Sequence, residues 1–257
     1  MSRLAAALRG RVEGGGKAFV PYVTGGLPGV DAALLRDLAA CGADAIEVGI
    51  PFSDPIMDGP VIQEASTRAL EAGATPASVL SMIAEAAVDV PMAVMTYLNP
   101  VLSAGFDRFA ADASAAGVSG VIVPDLPVDE SEEWRTACAA NDLDAVLLAA
   151  PGLDDARLAA IAGASSGFLY CVGRYGVTGD AGTPAEEGTA EALVGRLRPH
   201  ANLPLLVGVG ISSPDLAAAA CRFADGVVVG TALVEPLLDG DRDRMLTLAR
   251  AFRNAIT

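Results

Sequence analysis

Ala18-Phe19-Val20-Pro21-Tyr22-Val23-Thr24-Gly25-Gly26-Leu27-Pro28 opens the first repeating unit of this chain. A mainly apolar run ends in Gly-Gly and Pro, so a strand stops near Thr24 and a turn follows. Asp31–Cys41 comes next, with Leu34, Leu35 and Leu38 on one helical face, and then a second apolar run, Ala45–Gly49. Continuous apolar strands alternating with helices predict a parallel sheet covered by helices. The first turn separates the two common parallel folds. A doubly wound nucleotide-binding sheet places Gly-x-Gly-x-x-Gly there, and Thr24–Pro28 lacks it.

Six further runs continue the pattern: Met92–Tyr97, Gly120–Pro124, Ala145–Ala149, Gly167–Val172, Pro204–Gly208 and Gly226–Gly230. With the first two they make eight strands. Thr75-Pro76 and Ser213-Pro214 each read as an N-cap followed by Pro at the first helical position. Gly14-Gly15-Gly16 joins a leading helix to strand one, and no other stretch looks like a linker. The expectation is an α/β chain of one domain, residues 1–257. Its fold is a (β/α)8 TIM barrel with a short N-terminal helix and extra short helices in the βα loops. The site of such a barrel lies at the carboxyl ends of its strands.

Composition narrows the function. Of 257 residues, 52 % are hydrophobic, enough for a sizeable core. No window approaches the roughly 18 consecutive apolar residues of a membrane span, and the first ten residues do not read as a signal peptide. A soluble, cytoplasmic protein is expected. A net charge of −15 argues against nonspecific binding to nucleic acid or anionic membrane. Cys41, Cys138, Cys171 and Cys221 are widely spaced and read as buried thiols. Lys17 is the one lysine and His200 the one histidine, and both precede strands, on the stability face of a barrel. A Schiff-base or zinc mechanism therefore finds no obvious residues. Carboxylates, hydroxyls, Tyr or Arg must carry the chemistry, and no metal site is expected.

Glu47 shares one face of an otherwise apolar strand with the small residues Ala45 and Gly49, while Ile46 and Val48 share the other. Burying a charge is expensive unless the site uses or neutralises it, so Glu47 is a catalytic candidate with a raised pKa. Asp58 follows in the next loop as the second acid. Asp54 reads better as a turn residue. Tyr170, at the end of strand six, fits either core packing or the site. Three glycine-rich groups end strands six to eight: Gly173–Gly179, Gly208-Val209-Gly210, and Gly230-Thr231 before a short helix start. Backbone N–H groups in such loops, with a helix N-terminus, form an anion cradle without lysine. Loops seven and eight are the recurrent barrel phosphate site.

Taken together these segments resemble the tryptophan synthase α chain family. The matching motifs are Ala18–Thr24, Glu47-Val48-Gly49-Ile50-Pro51-Phe52-Ser53-Asp54-Pro55, Asp58-Gly59-Pro60-Val61-Ile62-Gln63, Asn99-Pro100, Val123-Pro124-Asp125-Leu126-Pro127, Gly176-Val177-Thr178-Gly179 and Gly208-Val209-Gly210-Ile211. They occur in the family's order across nearly the whole chain. The resemblance implies retro-aldol cleavage of indole-3-glycerol phosphate to indole and glyceraldehyde 3-phosphate. It makes Glu47 the acid/base and Asp58 the group that binds the indole nitrogen. It adds Phe19, Tyr170, Thr178, Gly179, Val209, Gly210, Gly230 and Thr231 as substrate-binding positions. No cofactor is implied for this chain; pyridoxal phosphate belongs to the family's β chain, the implied partner in an α2β2 assembly. Loops bearing Asp58 and Thr178 are expected to close over substrate and signal to that partner.

Some positions depart from the family pattern. Met57 stands where Ala is common, and Gly173 and Tyr175 flank Arg174 where Ser and a small residue are usual. Val209 replaces a pocket-lining Phe, and Thr231 replaces a Ser while keeping the hydroxyl. These changes leave two alternatives beside the subunit reading. One is a free-standing lyase that releases indole for a secondary pathway. The other is a weakly active barrel that mainly activates a β chain, against which intact Glu47 and Asp58 speak. A phosphate-sugar isomerase lacks a lysine or histidine electrophile.

Overall fold

The computed structural model describes residues 2–172 and 189–257. Helix α1 (Arg3–Glu13) leads into β1 (Ala18–Thr24), α2 (Ala32–Ala40), β2 (Ile46–Gly49), α3 (Pro60–Glu71) and α4 (Pro76–Ala86). Then come β3 (Met92–Met95), α5 (Leu98–Ala104), α6 (Phe106–Ala115), β4 (Val118–Ile122) and α7 (Glu132–Ala140). β5 (Asp144–Val146), β6 (Leu148–Ala149), α8 (Asp155–Ala164), β7 (Leu169–Cys171), α9 (Ala190–Leu197) and β8 (Leu205–Val207) follow. The chain ends with α10 (Pro214–Ala220), β9 (Gly226–Val229), α11 (Thr231–Leu238) and α12 (Arg242–Ala255).

Local chemistry starts the helices where the sequence predicts. Asp31 caps α2 by accepting from the Leu34 N–H at 2.7 Å. Thr75 and Ser78 form a reciprocal capping box at α4, with Pro76 in its first turn. Ser213 caps α10 by accepting the Leu216 N–H at 3.3 Å, with Pro214 in the first turn.

The strands form one parallel sheet in the order β5-β4-β3-β2-β1-β9-β8-β7-β6. Nine strands appear where eight were expected, because the run Ala145–Ala149 is divided at Leu147. Its first half pairs with β4 and its second with β7, so this run closes the barrel. At the seam the Ser165 and Ser166 hydroxyls accept the Leu147 and Ala145 N–H groups at 3.0 and 2.9 Å. Side-chain oxygens there do the work of a neighbouring backbone and satisfy amides the ladder would leave open.

Helix α1 plugs the amino-terminal end. Leu4 and Leu8 are fully buried. A Cβ on Gly120 would lie 2.6 Å from Leu4 Cδ2, so β4 needs glycine there. Ser2 caps α1 and donates to Asp144, which also accepts the Ala5 N–H at 3.2 Å. That end is sealed among the described residues, which leaves the carboxyl ends of the strands as the mouth of the barrel. Lys17 is spent at the closed end, donating to the Ala224 carbonyl at 2.8 Å. All four cysteines are buried free thiols. Among the described residues no helix is long and apolar enough to cross a membrane.

Candidate active site

Glu47 occupies the middle of β2, beside Tyr22 of β1 and Ala93 of β3 in the parallel register. Its exposure is 1 %, and neither carboxyl oxygen has a hydrogen-bond partner among the described residues. An unpartnered buried carboxylate would be costly, so the proton is retained instead. Burial first, and the nearby Asp58 second, push Glu47 up to about 8.

Asp58 lies in the loop between β2 and α3. Gly59 caps α3 without a side chain, Pro60 occupies its first turn, and Gln63 donates back to the Asp58 carbonyl at 2.9 Å. Burial raises the Asp58 carboxyl to about 6, while a hydrogen bond from Tyr97, at 3.1 Å, works in the opposite direction. The two acids thus differ. Near neutral pH Glu47 holds a proton and Asp58 is largely ionised. Asp54 is exposed; its carboxylate accepts from the Ser53 hydroxyl at 2.6 Å and its carbonyl accepts the Ile56 N–H at 2.9 Å, as a turn residue does.

Both acids line one cavity of about 220 Å³ at the carboxyl end of the barrel. Tyr170, Val209, Gly210, Gly230 and Thr231 line the same cavity, so residues from four strands and their loops converge. Ile62, Met95, Ile122, Pro124 and Leu148 supply an apolar wall of the size and character that an aromatic ring fills. Across the mouth, α11 begins at Gly230, which offers no side-chain cap. The Leu233 N–H donates to the Gly230 carbonyl at 2.9 Å, so the Thr231 and Ala232 N–H groups and the positive dipole end are what α11 offers an anion. Among the described residues no three His, Cys, Asp or Glu side chains gather into a metal-holding group.

Two glycines have reasons other than anion binding. A Cβ on Gly208 would lie 2.2 Å from the Tyr170 ring, and one on Gly49 would lie 2.1 Å from the Tyr22 hydroxyl. Each strand end is bare so that a tyrosine can lie across it. Gly210, by contrast, has φ +84°, which only glycine adopts readily.

Phe19 does not join the cavity. It is fully buried and stacks on Phe252 of α12, with ring centroids 6.5 Å apart. The reason is the strand's period of two: Tyr22 faces the interior, so Phe19 faces the helical layer. Tyr22 is the cavity residue of β1, and the alternation of Ala18–Thr24 already contained that answer. Tyr97 was also missed, because nothing local in Met92–Tyr97 marks its reach to Asp58. Thr178 and Gly179, with Gly173, Arg174, Tyr175 and Gly176, lie outside the described residues.

Known proteins carry the same pattern. The family model described as tryptophan synthase alpha chain matches residues 10–255. The tryptophan synthase alpha chain of Carboxydothermus hydrogenoformans is 44 % identical over 250 residues, covering 95 % of this chain and 92 % of that one. The Petrotoga mobilis alpha chain is 41 % identical over 232 residues, covering 89 % of each. Among solved structures, ligand-free tryptophan synthase from M. tuberculosis superposes with a TM-score of 0.89 at 36 % identity, covering 100 % of this chain and 99 % of that one. The alpha subunit from Legionella pneumophila gives 0.88 at 31 % identity, covering 100 % and 98 %. With its parallel barrel and paired acids at the carboxyl mouth, the chain belongs to the tryptophan synthase alpha chain family.

Proposed function

We propose that this chain cleaves indole-3-glycerol phosphate to indole and glyceraldehyde 3-phosphate, as the alpha subunit of a tryptophan synthase. The observation that carries the reading is the pair of acids. A protonated, unpartnered Glu47 faces an apolar cavity beside a more acidic Asp58. Carbon–carbon cleavage of this substrate needs those two states at once. Glu47 delivers its proton to the ring carbon that bears the glycerol chain, and the ring becomes a cationic indolenine. Asp58, near the ring N–H, balances that charge where it develops. The Glu47 carboxylate then removes the proton of the adjacent hydroxyl. The carbon–carbon bond breaks, its electrons return to the ring, and the aldehyde forms. Glu47 ends protonated, as it began.

Gly210, Gly230, Thr231 and the start of α11 are assigned to the phosphate, with Thr178 and Gly179 proposed beside them. Tyr170 and Val209 are assigned to the walls around the ring. No metal or organic cofactor is required by these steps. The proposed partner is a β chain in an α2β2 assembly. Support comes from exposed apolar residues beside the mouth: Ile56 at 79 %, Met57 at 52 % and Leu102 of α5 at 55 %.

The test is indole release from indole-3-glycerol phosphate by the purified chain. Glu47→Gln removes proton exchange while keeping shape, so turnover should fall by about three decades or more with binding largely retained. Asp58→Asn should also be severely impaired. Near-normal turnover in Glu47→Gln would remove that residue from the chemistry.

A further inference from the structure

Tyr97 lines no part of the cavity wall named above, yet it touches the catalytic loop three times. Its hydroxyl donates to Asp58 Oδ2 at 3.1 Å and accepts the Met57 backbone N–H at 2.9 Å. Its ring stacks on Phe52, with centroids 5.2 Å apart and planes inclined by 27°. One side chain thus grips the β2–α3 loop at positions 52, 57 and 58.

The grip comes from a fixed point. Tyr97 is 3 % exposed, whereas Ile56 and Met57 in the loop are 79 % and 52 % exposed. Its backbone is held on both sides. The Thr96 N–H donates to the Ile122 carbonyl at 3.0 Å, and the Leu98 N–H donates to Asp125 Oδ1 at 2.9 Å. Tyr97 also stands at the N-cap position of α5, without a side-chain capping bond. A phenol has one proton to give. With the Met57 N–H donating to the hydroxyl oxygen, that proton is directed to Asp58.

We propose that Tyr97 is the positioning residue for Asp58, fixing the loop and aiming its carboxylate into the cavity. The purpose assigned to that aim rests on the lyase reading above; the anchoring does not. The other titratable groups that face Asp58 are Glu47 from β2, Tyr22 from β1 and Tyr170 from β7. Among the described groups, the Tyr97 hydrogen bond is what favours the ionised carboxylate against burial. Removing it should raise the pH at which Asp58 ionises.

Tyr97→Phe keeps the ring and its stack on Phe52 and deletes only the oxygen. Carboxyl-carbon NMR titration should move the Asp58 midpoint to higher pH in the variant. Indole release should lose about tenfold to a hundredfold in kcat/KM, mostly in kcat, as expected for a lost hydrogen bond to a charged group. The acid limb of the rate profile should shift upward with the NMR midpoint. In an Asp58→Asn background the same change should cost nothing further. An unmoved Asp58 midpoint, or an equal further loss in that background, would make Tyr97 a merely structural residue and overturn the proposal. The arms separate the two claims. A shifted midpoint in a chain that releases no indole refutes the lyase reading and supports the anchor. Normal indole release with an unshifted midpoint does the reverse.

Discussion

Glu47 ties the proposed chemistry to the stability of the fold. Its carboxyl ionises near 4.5 when unperturbed and near 8 in the barrel. The folded form therefore keeps a proton that the unfolded chain releases. Stability from this group is fully present below about 4.5 and falls as pH rises, until ionisation near 8 ends the difference. Each unit between those limits is worth about 1.4 kcal/mol, so the total is on the order of a few kcal/mol. Glu47→Gln cannot ionise and should escape that loss. Its melting temperature relative to the parent should rise between pH 5 and pH 9, measured by paired thermal scans. An offset equal at both pH values would contradict the burial argument. The same groups shape the rate. kcat/KM should climb as Asp58 ionises near 6 and decline as Glu47 loses its proton near 8. A profile flat from pH 5 to 9 would separate these acids from the chemistry. Glu47 was legible in the sequence because an acid in an apolar strand has few structural uses, and Asp58 because it stands in the Asp-Gly-Pro motif of the following loop. Tyr97 was not, because its partner lies 39 residues away and only the folded loop brings them together.

At the scale of elements, strand ends and helix starts were the readable part. β1 runs over the residues expected, Ala18–Thr24, because Gly25-Gly26 stops it. The division at Leu147 was not readable, since it depends on hydroxyls at Ser165 and Ser166 from another segment. The facing of Phe19 was readable from alternation, and the family motif pointed elsewhere. The glycines needed structure to be sorted. Gly208 serves the Tyr170 ring, whereas a Cβ at Gly230 would lie 3.6 Å from Tyr22, an ordinary contact. Gly230→Ala should thus be tolerated, while Gly230→Asp sets a carboxylate at the α11 N-terminus, where the phosphate is assigned. KM should rise about tenfold or more for Gly230→Asp. The isosteric Gly230→Asn should rise less, and a dephosphorylated substrate should be poor with every variant. Equal KM values for the Asp and Asn variants would mean that α11 meets no anion.

Among the described residues the molecule is a barrel closed at one end and open at the other. Leu4 and Leu8 seal the base, and the eight-unit pattern of strands and helices was visible without coordinates because buried parallel strands are apolar throughout. The sealed base puts the proposed substrate entry and the proposed partner contact on the same face. Tyr97 joins them, since it holds Asp58 on one side and starts α5, which carries exposed Leu102, on the other. A β chain docking on Ile56, Met57 and Leu102 would therefore stabilise the loop that bears Asp58, the proposed second acid. If the competent arrangement is populated at about one per cent in the isolated chain, docking can raise the rate by at most about a hundredfold. Adding a β chain should accelerate indole formation by tens of fold and slow hydrogen exchange at Met57 and Asp58. The replacement Leu102→Asp should weaken that activation while leaving the isolated chain's rate unchanged. Rapid indole release that no β chain alters would instead favour a free-standing lyase, and the apolar rim would then need another occupant.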